Sequence, residues 1–356
     1  MAHFYKKKPF VESLFLVFTT LISCQNLDKR VEKKEDPRPP QGYTPAESWL
    51  ITQEGENWDG HFSPDGLKIL FLSRNRPRHR HSQVYELDRT TLRQRRMTFH
   101  DGENSGPRYD ATGKWILYAS TTDEIKENPI YIQQALRKRG GETKAVDNRL
   151  PQSLEAPYEI YRSSSNGDSI KRLTHTPKYD AEASYHPKQP AILFTSVRHG
   201  KSHLYLMNLN GSSPRLLSDK RFIETEGQFH PGGKELVFVR YTPDRKQAQI
   251  ILKSFKTKKE VNLTQGPSLN QSPVWMSDGD HVLFSSNRDD LHNFEIYLVK
   301  KDGSCLQRLT YKWGNERQPA ISPDGKTILF TSDRSGTRQL YLMDFKPPTT
   351  CPEASS

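Results

Sequence analysis

Cysteine is scarce, with three in 356 residues. That excludes a disulfide-dense scaffold and a multi-cysteine zinc module. Apolar side chains are also sparse at 33%, and adding glycine leaves the chain short of the ~45–50% of an average globular protein. Glycine and proline number 21 and 24, too few for a collagen-like or low-complexity chain. The catalytic signatures GxSxG, HExxH, the P-loop and GxGxxG before a helix are missing, so the chain reads as a non-enzyme that needs no cofactor. A net charge of +11 comes without a zinc finger, an RNA-binding aromatic signature or a heptad-linked basic helix. Nucleic acid is therefore not an expected partner. What is present is 16 Phe and 15 Tyr, spread along the chain, which argues for a packed core.

The N-terminus reads as an export signal. Lys6, Lys7 and Lys8 precede an almost wholly apolar stretch from Leu14 to Ile22, too short to span a bilayer but suited to a signal-peptide core. It ends in Leu21-Ile22-Ser23-Cys24, which resembles the lipobox of bacterial lipoproteins. The resemblance implies removal of residues 1–23, acylation of Cys24 and a membrane anchor through that lipid. Gln25 in place of Asp favours the outer membrane, with the protein on its periplasmic face or at the cell surface. Residues 24–47 are charged and proline-bearing, as in a solvated tether, with a reach on the order of 70 Å if extended.

The rest is repetitive. HFSPDGLKILFLS from His61, RYDATGKWILYAS from Arg108, SYHPKQPAILFTS from Ser184, QFHPGGKELVFVR from Gln228, VWMSDGDHVLFSS from Val274 and AISPDGKTILFTS from Ala320 superimpose. Their spacings are 47, 76, 44, 46 and 46 residues, so the second unit carries an insertion, about 123–157. One column is aromatic throughout: Phe71, Tyr118, Phe194, Phe238, Phe284 and Phe330. A Pro-Asp-Gly type turn separates a first strand from a second that is apolar on consecutive positions, hence buried on both faces. A Tyr-centred third strand follows, then a short fourth ending in a Leu-Thr-like pair. Four strands per ~46 residues is the period of a propeller blade. The fourth strand of the last unit is missing at the C-terminus, whereas Trp49-Leu50-Ile51-Thr52 has its pattern at the N-terminus. The expectation is an all-β, six-bladed β-propeller over 48–346, its last blade closed by the N-terminal strand, with a tail at 347–356 and a monomeric ring.

SPDGKTILFTSDRSGTRQLYLMDF, from Ser322 to Phe345, resembles the repeat of the TolB-like propellers, a WD-like family, and the resemblance covers about 48–346. It implies the fold and, for function, a protein- or peptide-binding module or scaffold of the cell envelope. TolB itself carries an α/β domain before its propeller where this chain has the charged segment, so the likeness is to the propeller and not to TolB as a whole.

Strand order places the blade-to-blade loops and the second-to-third-strand loops on one rim. Their acidic and amide residues are Glu56, Asn57, Glu103, Asn104, Asp180, Glu182, Glu224, Glu226, Asn270, Asn315 and Glu316. They are expected to converge at the channel mouth, where carboxylates suit a basic peptide or a cation. A wet channel and turn capping account for the same residue types. The loop SRNRPRHRHSQ adds Arg74, Arg76, Arg78, His79, Arg80 and His81, a candidate docking surface for anionic groups. His186 and His230 replace Ser63 in the turn column and read as turn variants. No metal site is expected. Cys305 and Cys351 form a pair if the tail folds back within ~7 Å. A glycan-binding or glycan-cleaving propeller using channel carboxylates is the alternative reading.

Overall fold

The computed structural model describes residues 36–41, 43–122 and 157–346. The expected signal peptide, Cys24, the insertion up to residue 156 and the tail with Cys351 lie outside them. Twenty-four strands form six four-stranded antiparallel sheets. Blade one runs from β2 (Glu56–Phe62) to β5 (Gln94–Arg96), and blade two from β6 (Asn104–Tyr109) to β9 (Lys171–Arg172). Blade three runs from β10 (Asp180–Tyr185) to β13 (Arg215–Leu216), and blade four from β14 (Ile223–Phe229) to β17 (Glu260–Asn262). Blade five runs from β18 (Asn270–Trp275) to β21 (Gln307–Arg308). Blade six has β22 (Glu316–Ile321), β23 (Thr327–Ser332) and β24 (Gln339–Asp344). Its fourth strand is β1 (Ser48–Leu50), pairing Ser48 with Met343 and Leu50 with Tyr341. The all-β six-bladed ring and its closure by the N-terminal strand are thus as the repeat implied.

The motif columns have separable physical roles. In the turns, Ser63 Oγ donates to Asp65 Oδ1 at 2.5 Å, and Gly66 sits at φ 72°, a conformation that favours glycine. His186 and His230 do the serine's work: Nδ1 of His186 accepts from the amides of Lys188 and Gln189, and Nδ1 of His230 accepts from Gly232. The six-fold aromatic column is at most 1% exposed. Apolar side chains of neighbouring blades merge into shared wedges. One joins Phe71 and Leu87 to Leu329 and Leu340, and the next joins Leu70 and Val84 to Tyr118 and Tyr161. Truncating one such ring side chain to Ala is worth about 3–5 kcal/mol.

The Leu-Thr pair is a clamp. Thr98, Thr174, Thr264, Thr310 and Thr52 each accept an amide near the start of the third strand, those of Val84, Ile160, Ile250, Ile296 and Leu340, at 2.9–3.0 Å. Ser218 does the same in blade three. In blades one, four and six the threonine also donates at 2.8 Å to the Gln just before that amide, Gln83, Gln249 or Gln339.

Residues 36–47 depart from a free tether. Asp36 accepts from Lys312 Nζ at 2.9 Å and from the Trp313 amide at 2.8 Å, while Tyr43 packs on Tyr311 with centroids 5.6 Å apart. An acid facing a lysine and a half-buried aromatic ring are enough to lay this part on the blade five-to-six connection, despite its prolines.

Candidate functional site: the channel mouth

Each inner strand carries a bulge. The register between first and second strands slips at the same place in all six blades. There Asp59, Gly106, Glu182, Glu226, Ser272 and Gln318 all have φ between 53° and 58°. A bulge re-aims side chains, and here it turns this column toward the channel, where a cavity of about 310 Å³ opens. The column also buckles blades together. Glu182 Oε2 accepts the Glu226 amide at 2.9 Å, Glu226 Oε2 accepts the Ser272 amide at 2.6 Å, and Gln318 Oε1 accepts the Asp59 amide at 3.2 Å.

The expected ring of acids and amides divides. Glu103, Asn104, Glu182, Glu226 and Asn315 line the cavity. Glu56 stands at its edge, shared by Arg74 at 3.0 Å and Arg338 at 2.9 Å. Asn57, Asp180, Glu224, Asn270 and Glu316 do not converge on the mouth. They stand first or second in the inner strands and are at most 1% exposed, their side chains bonded within a blade or across a seam. Asn57 Nδ2 donates to Gln339 Oε1 at 2.7 Å and Asn270 Nδ2 to the Ala248 carbonyl at 2.7 Å, each across a seam between blades, whereas Asp180 takes Arg198 at 2.9 Å within blade three. The bulge is the reason, because residues on its two sides face different ways.

The basic loop likewise divides. Arg74 lines the cavity. Arg76 points inward, its guanidinium 4.3 Å from the Tyr85 ring centre, donating to Ser73 Oγ at 2.6 Å and Asn57 Oδ1 at 3.0 Å. Arg198, Arg288 and Arg334 repeat this stacking on Tyr205, Tyr297 and Tyr341, so Arg76 is a blade component rather than a docking residue. His79 bonds Tyr85 Oη at 2.8 Å, and His81 meets Glu103 at 3.0 Å. Arg78 and Arg80 are exposed. Cys305 is disulfide-bonded.

Some of the strongest electrostatics come from residues the sequence did not single out. His61 Nε2 lies 2.9 Å from Asp59 Oδ1, and Arg108 donates to the same oxygen at 3.4 Å. Burial opposes the Asp59 charge, but Arg108 and His61 hold its carboxyl well below the usual range. Burial and the Arg108 charge push the His61 imidazole down to about 4, so it is neutral. Burial and the adjacent Glu182 charge raise the Glu226 carboxyl to about 8. Tyr179 Oη donates to Glu182 Oε1 at 3.1 Å. On the opposite side Arg338 stacks on Trp58 at 4.2 Å and Arg317 on Phe294 at 3.6 Å. A shared signal was available, since the whole bulge column stands three residues before the Phe62, Tyr109, Tyr185, Phe229, Trp275 and Ile321 column. The mouth therefore combines carboxyls, guanidinium groups and aromatic faces in one polar concavity. Among the described residues no cluster of three His, Cys, Asp or Glu side chains has the arrangement of a metal site.

Fold and site define a six-bladed propeller with a polar, charged channel mouth. Its C-terminal residues 228–350 match the TolB beta propeller domain family, and the ring as a whole has the fold of a TolB-like propeller. A TolB homolog of Chlorobium luteolum is 29% identical over 153 residues, 43% of this chain and 34% of that one. An uncharacterized protein of Agrobacterium fabrum is 31% identical over 137 residues, 38% of this chain and 45% of that one. The match thus spans less than half the length of either relative. Among solved structures, TolB from Acinetobacter baumannii superimposes with TM-score 0.57 at 20% identity, over 80% of this chain and 65% of that one. An oligogalacturonate lyase from Vibrio parahaemolyticus gives 0.53 at 13% identity, over 83% and 80%. At such identities these likenesses establish the fold alone.

Proposed function

We propose that this protein is an envelope lipoprotein, anchored through Cys24, whose propeller holds a segment of a partner protein in the channel mouth. The observation that carries this is the cavity of about 310 Å³ with Glu182 and Glu226 on one side, Arg317 and Arg338 on another, and Trp58, Tyr158 and Tyr179 along its wall. Such a lining matches a peptide, with a polar backbone and side chains of both signs, better than an apolar ligand. The docked segment at Asp36 supports a short tether. Asp36 lies on the connection between blades five and six, on the rim of the mouth. Eleven residues, 25–35, separate it from Cys24 and reach about 40 Å at most. An acylated Cys24 would then hold the propeller near the membrane, where a membrane-bound partner is accessible.

The glycan reading keeps one supporting observation: a raised Glu226 and a neutral His61 in one cavity are an acid and a base of the kind proton transfer needs. The test runs the detergent-purified chain over solubilised envelope, beside Glu226→Gln and Arg338→Gln variants. One dominant protein retained by the parent and weakened in the variants supports the peptide module. Capture of nothing, with turnover of acidic oligosaccharides that Glu226→Gln abolishes, overturns it in favour of the glycan enzyme. Fractionation of Cys24→Ser tests the anchor, since loss of the thiol must release the protein from membranes.

A further inference from the structure

Arg317 is the odd cation of the mouth. The other guanidinium groups lining the cavity have a carboxylate partner: Arg108 has Asp59 at 3.4 Å, and Arg74 and Arg338 share Glu56 at 3.0 and 2.9 Å. Among the described residues Arg317 has none within ion-pair distance. Its NH1 reaches Gln271 Oε1 at 3.4 Å and its NH2 reaches Asn315 Oδ1 at 3.5 Å, both at the long limit of a hydrogen bond. The nearby carboxylate, Asp333, is already engaged by the Asn315 amide at 2.7 Å and Asn315 Nδ2 at 2.9 Å. Yet the group is fixed in place. Its guanidinium lies 3.6 Å from the ring centre of Phe294, itself 3% exposed. A largely buried guanidinium without a counter-charge is costly, and its five donors in a rigid fork match a carboxylate two at a time.

We propose that Arg317 is the receptor for a carboxylate entering the channel mouth, carried by the bound peptide as an acidic side chain or as its C-terminus. The stacked ring orients the fork, Gln271 and Asn315 flank it, and the incoming anion supplies the charge that the protein withholds. The source of the carboxylate rests on the peptide reading above; the anion site itself does not.

Two titrations separate the two claims. The first follows the Arg317 Nε–H signal of the full chain in detergent, assigned by its loss in Arg317→Gln, while sodium acetate replaces sodium chloride at constant ionic strength. Acetamide serves as the neutral isostere. A saturable shift with acetate and none with acetamide is expected, and the same response to both overturns the proposal. The second compares three capped peptides of one sequence by calorimetry: an Asp peptide with an amidated end, its Asn counterpart, and the Asn peptide with a free C-terminus. A carboxylate-bearing peptide should bind about tenfold tighter than the amidated Asn peptide. Arg317→Gln should erase that preference and Arg317→Lys, which keeps charge but not the fork, should restore it only in part. Whichever carboxylate carries the gain identifies the source. Saturable acetate binding with no peptide bound keeps the anion site and defeats the peptide reading. Equal affinity for all three peptides, unchanged in Arg317→Gln, overturns the site.

Discussion

The Thr52 hydroxyl donates to the side-chain oxygen of Gln339 at 2.8 Å across 287 positions of sequence. The same Thr52 oxygen accepts the Leu340 amide at 2.9 Å. The same pair of bonds recurs in blades one and four, and here it is built from the two ends of the ring. Thr52→Val removes both bonds and leaves a buried amide without a partner. The expected loss is about 1–3 kcal/mol of unfolding free energy, read as a lower urea midpoint. An unchanged midpoint would mean that the N-terminal strand does not secure the ring.

Arg76 and its loop neighbours should behave differently although they look alike in sequence. Arg76→Ser strips the Tyr85 stack and the bonds to Ser73 and Asn57, and should destabilise by about 1.5–3 kcal/mol. Arg78→Ser with Arg80→Ser, both exposed, should leave stability within about 0.5 kcal/mol. Thermal melting of the two variants checks this, and equal losses would refute the inward role of Arg76.

The seam between blades five and six predicts a pH dependence. Burial raises Glu316 to about 8 against the opposing effect of Arg334, and burial raises Glu295, across the seam, to about 7 against Thr310 and Arg308. Where blade six meets blade one, the corresponding pair is Gln339 and Asn57, which is neutral at every pH. A carboxyl raised in the fold contributes stability that is complete below its unfolded value near 4.5. That contribution is lost as pH rises through about 8. Stability should therefore fall from pH 5 to pH 8. Glu316→Gln should reduce that fall by on the order of 1–3 kcal/mol, a range that allows for the compensating Arg334. Parallel stability curves for parent and variant would contradict the account.

Much of the fold was legible because a repeat states it six times. Phe71 and its five counterparts fixed the buried strand, and the Leu-Thr pair at Ile51-Thr52 disclosed the closing strand before any coordinates. The mouth was legible only in part. Acidic residues cluster in the blade-to-blade loops, but strand alternation cannot tell Glu224, which is buried against Arg240, from Glu226, which faces the channel. The bulge between them breaks the alternation, and its signature is a backbone angle rather than a residue type, since Asp, Gly, Glu, Ser and Gln all occupy it. Arg108 and Arg317 were missed for a related reason. Arg108 stands two residues after its bulge position, Gly106, and Arg317 one residue before Gln318, so neither falls in the bulge column itself.

The central claim, that the mouth engages a protein segment, is tested most directly by placing a photoreactive side chain at Gln228, which lines the cavity, and separately at Lys256, exposed on the opposite rim. Both full chains are irradiated in the cells that make them. The account predicts one discrete protein adduct from position 228 that is weak or missing from position 256 and diminished by Arg317→Gln. The same adducts from both positions, or none from position 228, would contradict it.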